Sequence, residues 1–167
     1  MGHLNVQSLK PKLPDLRADI HSTYGFDVLA LSETWLAPNI PDRLVRVDGY
    51  KLYRGDRPDE LNLPKGRGGV AVLVRDGLKS ECLPRPDTAT ETSQLEIIWT
   101  KVNLENSRTV LIASAYRVPD TTVRQLTADF DDLEAQIQFM LAKYPRSTFV
   151  ICGDFNRCLL KTPTGDN

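Results

Sequence analysis

The sequence predicts an α/β fold, and three observations carry that reading: a strand, helix and strand open the chain, short apolar runs separated by turn residues fill its middle, and a long amphipathic pattern leads into one more apolar strand. At 167 residues, 41% hydrophobic and 26% charged, the composition is that of one soluble globular domain spanning residues 1–167.

Leu4 to Val6 is a short apolar start. In the segment from Pro11, Leu13, Leu16 and Ile20 recur at helical spacing until Tyr24-Gly25 closes it. Asp27-Val-Leu-Ala-Leu-Ser-Glu33 is a continuous apolar run with a polar end, the pattern of a buried strand whose C-terminal end is exposed. From Trp35 to Asn62, Pro38, Pro41, Gly49 and Pro58 punctuate a loop-rich stretch holding one short strand at Tyr50 to Tyr53. Gly66-Arg-Gly-Gly feeds Val70 to Arg75, while Leu95 to Val102 and Thr109 to Tyr116 flank the turn-like Glu105-Asn106-Ser107. These read as consecutive antiparallel strands. Beyond Pro119-Asp120, Leu126, Phe130, Leu133, Ile137, Met140 and Leu141 share one face of a helix of about five turns, with Asp, Glu and Gln opposite. The helix ends near Lys143-Tyr-Pro145, and Thr148 to Gly153 reads as a further buried strand ending in Asp154-Phe-Asn156.

A formal net charge of -1 gives no overall positive field, so any contact with nucleic acid must come from a local patch. No run reaches the roughly 18 apolar residues of a membrane span, and the N-terminus lacks the blocks of a signal peptide. The expectation is a soluble, intracellular chain with no membrane partner. Met1-Gly2 does not begin a myristoylation signal, because Val6 stands where Ser or Thr is needed. The three cysteines, Cys82, Cys152 and Cys158, form no CxxC pair and fit neither a disulfide framework nor a zinc site.

Polar residues stand where the apolar strands end: Ser32-Glu33-Thr34, Tyr116-Arg117 and Asp154-Phe-Asn156, with Asn5 in the first strand. Strand ends are where side chains distant in sequence converge on a ligand. Magnesium takes oxygen ligands and keeps waters, so one or two carboxylates such as Glu33 and Asp154 suffice beside a substrate phosphate. Asn156 and Tyr116 are of the types that donate to phosphate oxygens as charge develops. Each also has a plainer reading, Glu33 as a helix-cap or loop carboxylate and Asp154-Phe-Asn156 as an Asx turn. Gly66-Arg-Gly-Gly precedes a strand and lacks P-loop spacing, so it reads as a tight turn. His3 and His21 are given no catalytic role. Lys51, Arg54, Arg57, Lys65 and Arg67 make either a phosphate-contacting edge or, offset by Asp56, Asp59 and Glu60, a solvated loop.

Taken in order, Leu4-Asn5-Val-Gln-Ser8, Leu31-Ser-Glu33-Thr-Trp35, Gly68-Gly-Val-Ala-Val72, Ala115-Tyr116-Arg117 and Gly153-Asp-Phe-Asn156 resemble the apurinic-like endonuclease domain of non-LTR (LINE-type) retrotransposons. That domain is a branch of the endonuclease/exonuclease/phosphatase superfamily. The resemblance spans essentially the whole chain. It implies a deoxyribonuclease-like four-layer α/β/β/α sandwich and Mg2+, or Mn2+ in its place, as cofactor. It also implies DNA as partner and a reverse transcriptase domain in the full-length element. Residue by residue, it puts the metal at Glu33, supported by Asn5. It makes Asp154 the residue that activates water, Asn156 the one that steadies the phosphate transition state and Tyr116 a phosphate contact, with Arg117 and Arg67 as weaker substrate contacts.

This chain reads Tyr116-Arg-Val-Pro119 where the family often has Tyr-Arg-Pro-Pro, and Arg157 to Asn167 hold no counterpart of the family's later aspartate and Ser-Asp-His motif. The resemblance therefore implies the N-terminal two thirds of the sandwich, with its C-terminal third missing and hydrolysis impaired. The leading expectation is a DNA-nicking endonuclease of a retrotransposon, placed in the nucleus only by its DNA substrate. The alternative is a catalytically dead remnant that binds metal or nucleic acid weakly. Chance similarity in an unrelated α/β interaction domain is the weakest option.

Overall fold

A computed structural model describes residues 1–21, 25–57, 67–87, 92–105, 108–119 and 121–157. Tyr24, Asn62, Lys65, Gly66, Asn106, Ser107, Asp120 and Cys158, on which parts of the sequence reading fall, lie outside these described residues, as do Pro58, Asp59 and Glu60. In chain order the elements are β1 (Gly2–Asn5), α1 (Leu9–Asp19), β2 (Val28–Ser32), β3 (Tyr50–Gly55), β4 (Val70–Arg75), β5 (Lys79–Leu83), β6 (Glu96–Asn103), β7 (Thr109–Tyr116), α2 (Val123–Lys143) and β8 (Thr148–Asp154). A short 3-10 turn at Asp42–Leu44 interrupts the loop before β3.

The strands form two four-stranded sheets, ordered β1-β2-β4-β3 and β5-β6-β7-β8. β1 pairs parallel with β2 across α1, and β7 pairs parallel with β8 across α2, so each sheet holds one strand-helix-strand crossover. The remaining pairings are antiparallel. Side chains alternate faces along a strand, and here the alternation sorts them into three apolar layers. Leu29, Leu31, Ala71 and Leu73 face out of the first sheet against Leu9, Leu13 and Leu16 of α1. Val28, Val72, Val74, Val102 and Ile112 meet between the sheets. Ile97, Trp99, Leu111 and Ala113 face out of the second sheet against Met140 of α2. The result is the expected α/β/β/α layering. It explains why β2, β4 and β7 read as unbroken apolar runs: both of their faces are covered.

Four expectations need correction. β4 does not neighbour β6; they lie in opposite sheets, because β4 inserts between β2 and β3. β5 carries no apolar alternation and escaped the sequence reading, since an edge strand with exposed Lys79, Glu81 and Cys82 needs none. β8 is half-buried rather than buried, being the other edge of its sheet. The buried face of α2 is mixed rather than apolar: Met140 is buried and Leu133 and Ile137 pack partly buried against the same core, but Asp129, Asp132 and Gln136 also face inward, while Phe130 and Leu141 are exposed.

The inward polar residues of α2 have a physical cause. The Trp99 indole is fully buried and donates to Gln136 Oε1 at 3.0 Å, and Gln136 Nε2 donates to Asp132 Oδ1 at 3.0 Å. Asp132 Oδ2 also accepts from Arg85 and from Ser93 Oγ, and Asp129 Oδ1 accepts from the Gln94 backbone N–H. A polar network thus satisfies most of the inward face, with Asp129 Oδ2 the buried atom on it left without a partner among the described residues. Gln136→Leu leaves the Trp99 N–H buried without an acceptor and is expected to cost about 1–3 kcal/mol. Thermal denaturation followed by circular dichroism checks this; an unchanged midpoint would mean that the network contributes nothing net.

Candidate active site

One end of the sandwich gathers the polar strand ends. In the second sheet Glu96, Tyr116 and Asp154 are cross-strand partners in a single row across β6, β7 and β8. In the first sheet the corresponding row is Asn5, Ser32, Val70 and Gly55. Tyr116 and Asp154 share strand parity with Ile112 and Val150, which point between the sheets, so the side chains of this row project into the interlayer end. Ser114 Oγ ties the two sheets directly, donating to the Leu31 carbonyl at 2.8 Å.

Asn5 joins the two carboxylates. Its Nδ2 donates to Glu33 Oε1 at 2.6 Å and to Asp154 Oδ2 at 2.8 Å, across 149 residues of chain in the second case. Glu33 Oε2 in turn accepts from the Trp35 indole at 3.3 Å. Among the described residues, the non-glycine positions with left-handed backbone are Gln7, Ser8, Glu33, Trp35 and Asn156. All stand within three positions of Asn5, Glu33 or Asp154. Such conformations are costly and cluster where a structure over-determines them. The Glu33 and Thr34 carbonyls accept from the Ser8 and Leu9 N–H groups, both at 2.9 Å, so the turn after β2 is bonded to the start of α1.

Gly68 and Gly69 both adopt left-handed backbone, with φ of 71° and 82°. Their carbonyls accept from Trp35 and Thr34 at 2.8 and 3.1 Å. The Gly69 N–H donates to Glu96 Oε2, and Arg57 Nε lies 2.5 Å from Glu96 Oε1. The Arg57 and Glu96 side chains are only 7% and 4% exposed. Burial pushes the Glu96 carboxyl up, against the opposing pull of Arg57 and the Gly69 N–H. The sequence offers Arg57 either to a phosphate-contacting edge or to a solvated loop of mixed charge, and passes over Glu96. The available signal was a carboxylate between Leu95 and Ile97, where the alternation turns it inward.

Tyr116 is buried, and its phenol is pushed up from its ordinary value, first by desolvation and then by the negative charges of Glu33, Glu96 and Asp154, with Arg57 opposing. It is a neutral donor at neutral pH. Asp154 Oδ1 accepts the Asn156 N–H at 3.0 Å, which is the Asx turn, and the same residue's Oδ2 is left to accept from Asn5. Arg117 is 4% exposed and donates to the Phe155 and Asn156 carbonyls and to Thr121 Oγ1, the placement of a strut behind the turn rather than of a rim contact. Asn156 Nδ2 donates to the Arg117 carbonyl at 2.7 Å. Arg67 is exposed and stacks over the Trp35 ring, 5.8 Å from its centre. His3 Nε2 is 3.2 Å from Ser32 Oγ, and burial holds its imidazole below the ordinary value.

The donor set suits a hard, partly hydrated cation. Glu33 and Asp154 offer carboxylate oxygens converging on one amide. No group of three or more His, Cys, Asp or Glu among the described residues could hold an ion by itself. Magnesium needs no such cage, because waters and substrate oxygens complete its shell.

The sequence matches the Endonuclease/Exonuclease/phosphatase family over residues 2–165. No curated protein matches it. Among solved structures, the human Nocturnin catalytic domain with bound sulfate anion is 18% identical, with a TM-score of 0.65 over 95% of this chain and 64% of that one. The AP endonuclease LMAP from Leishmania major is 20% identical, with a TM-score of 0.63 over 92% of this chain and 53% of that one. The 3' phosphatase NExo from Neisseria, bound to a product DNA hairpin, is 19% identical, with a TM-score of 0.58 over 93% and 56%. At these identities the likeness establishes the fold, and the chain spans less than two thirds of each structure's length.

Proposed function

The chain belongs to the Endonuclease/Exonuclease/phosphatase family, and on that premise we propose that it carries the metal-holding and water-activating part of a phosphodiesterase site that nicks DNA. The observation that carries this reading is the Asn5 bridge between Glu33 and Asp154, which draws the ends of β1, β2 and β8 to one point. Neighbours whose fold it shares include an AP endonuclease and a phosphatase held on DNA. The Leu31 to Trp35 and Ala115 to Arg117 segments favour the LINE-type retrotransposon branch, with a reverse transcriptase domain in the full element and a nuclear site of action.

Glu33, oriented by Asn5, would hold Mg2+, or Mn2+ in its place. The bound cation supplies Lewis-acid stabilisation of charge on the phosphate oxygens. Asp154 orients a water and takes its proton as the water oxygen attacks phosphorus and the ester P–O bond breaks. Tyr116, kept as a neutral phenol, donates to a phosphate oxygen, and the Asn156 amide faces the same developing charge. Arg117 fixes the Asn156 turn from behind. Arg67, stacked on Trp35 beside Glu33, is the exposed cation placed to meet a phosphate of the flanking strand.

Incubating the chain with supercoiled plasmid tests this. Nicking is expected with Mg2+, is expected to stop with chelator, and is expected to fall at least about 100-fold in Glu33→Gln, the range for loss of a group acting on the transition state. A folded chain that nicks no faster than Glu33→Gln would favour the remnant that only binds.

A further inference from the structure

We infer that Arg57 and Glu96 are a positioning pair for Tyr116, clamping the phenol over the site and locking it to Gly68-Gly69, to which the segment carrying Glu33 is bonded. Nothing in the proposed chemistry uses either residue, yet both are almost completely buried at its centre. Glu96 is the direct cross-strand partner of Tyr116, and Arg57 Cζ lies 5.9 Å from the Tyr116 ring centre. The carboxylate is held from two sides, by Arg57 Nε on Oε1 and by the Gly69 N–H on Oε2. The glycines are shaped around this clasp: a Cβ on Gly68 would fall 2.5 Å from Glu96 Oε1, and one on Gly69 would fall 2.5 Å from Thr34 Oγ1.

Burying an ion pair is a poor source of stability, because desolvation offsets the attraction and apolar residues of similar volume do as well or better. Its use here is geometric. The guanidinium lies over the Tyr116 ring while its Nε bonds the carboxylate, two simultaneous contacts from one rigid group that a lysine ammonium could not reproduce. Through the Thr34 and Trp35 N–H groups that bond the same two glycines, the pair also sets where Glu33 stands relative to Tyr116. Arg57 and Glu96 touch no substrate in this reading; they act through the phenol.

The kinetic part of the test rests on the proposed phosphodiesterase activity, so the structural part is read separately. The chain is labelled with 3-fluorotyrosine, and the Tyr116 resonance is assigned by its loss in Tyr116→Phe. Arg57→Lys and Glu96→Gln, each checked for folding by circular dichroism, are expected to move that resonance while those of Tyr50 and Tyr53 stay in place. In the plasmid assay each is expected to lower kcat about 10- to 100-fold with little change in KM, the scale of a small misplacement of an acting group. In a Tyr116→Phe background most of that loss should disappear, because residues acting as a unit are not additive. Arg57→Lys is the milder variant and serves if Glu96→Gln does not fold. A Tyr116 resonance unmoved in a folded variant overturns the inference, and so do losses that add fully to that of Tyr116→Phe. A resonance that moves in a chain showing no hydrolysis sinks the functional reading while supporting the positioning role.

Discussion

Asp154→Asn is expected to leave the chain folded and to lower plasmid nicking by about 100- to 10,000-fold, the range for removing a positioned general base. The amide is isosteric and its oxygen can still accept the Asn156 N–H, so the turn after β8 survives. Two properties go. The side chain can no longer take a proton from water, and an amide N–H2 placed where Oδ2 now stands would face the Asn5 N–H2 rather than accept from it. Circular dichroism should be unchanged and nicking abolished at every Mg2+ concentration. Nicking that recovers at high Mg2+ would assign Asp154 to cation affinity rather than to water activation, and unaltered nicking would remove it from the chemistry.

The second large effect is on stability. Gly153→Val is expected to destabilise the chain by about 3 kcal/mol, the upper part of the range for overpacking, and to lower the thermal midpoint by about 6–12 °C. Strand propensity alone gives the opposite sign, since valine is preferred over glycine in strands. The site overrides it: a Cβ at position 153 would overlap the Ala115 carbonyl oxygen and sit 2.8 Å from its carbonyl carbon, which is backbone and cannot swing aside. Ala115 and Gly153 are partners between β7 and β8, one position before Tyr116 and Asp154. Hydrolysis should therefore fall along with stability. A midpoint equal to or above that of the unaltered chain would show that β8 shifts its register freely, and Asp154 would then lack the fixed seat that its role requires.

Both predictions depend on features unequally visible in the sequence. The strands β2, β4 and β7 were legible because burial on both faces leaves an unbroken apolar run, and α1 was legible from Leu13, Leu16 and Ile20. The polar residues at strand ends stood out for the same reason, as breaks in apolar text. α2 is legible as a helix whose apolar side is buried only in part: Met140, Leu133 and Ile137 pack on the core, and Phe130 and Leu141 do not. Periodicity shows that two faces differ, and only the partner decides how much of each is buried; here the Trp99 N–H and the Gln94 backbone N–H just before β6 take Gln136 and Asp129 as acceptors. β5 left no pattern because an edge strand buries little.

By itself, then, the sequence determined the α/β class, the order of most elements and the residue types gathered at strand ends. These are local quantities, set by the 2.0 and 3.6 residue periods and by turn chemistry. Only the tertiary structure decided that β4 leaves β6 for the first sheet, that one asparagine spans Glu33 and Asp154, and that Arg57 and Glu96 close behind Tyr116. Those are contacts between positions far apart in the chain. Their geometry follows from how two twisted sheets stack, and no local pattern encodes which side chains that stacking will bring together.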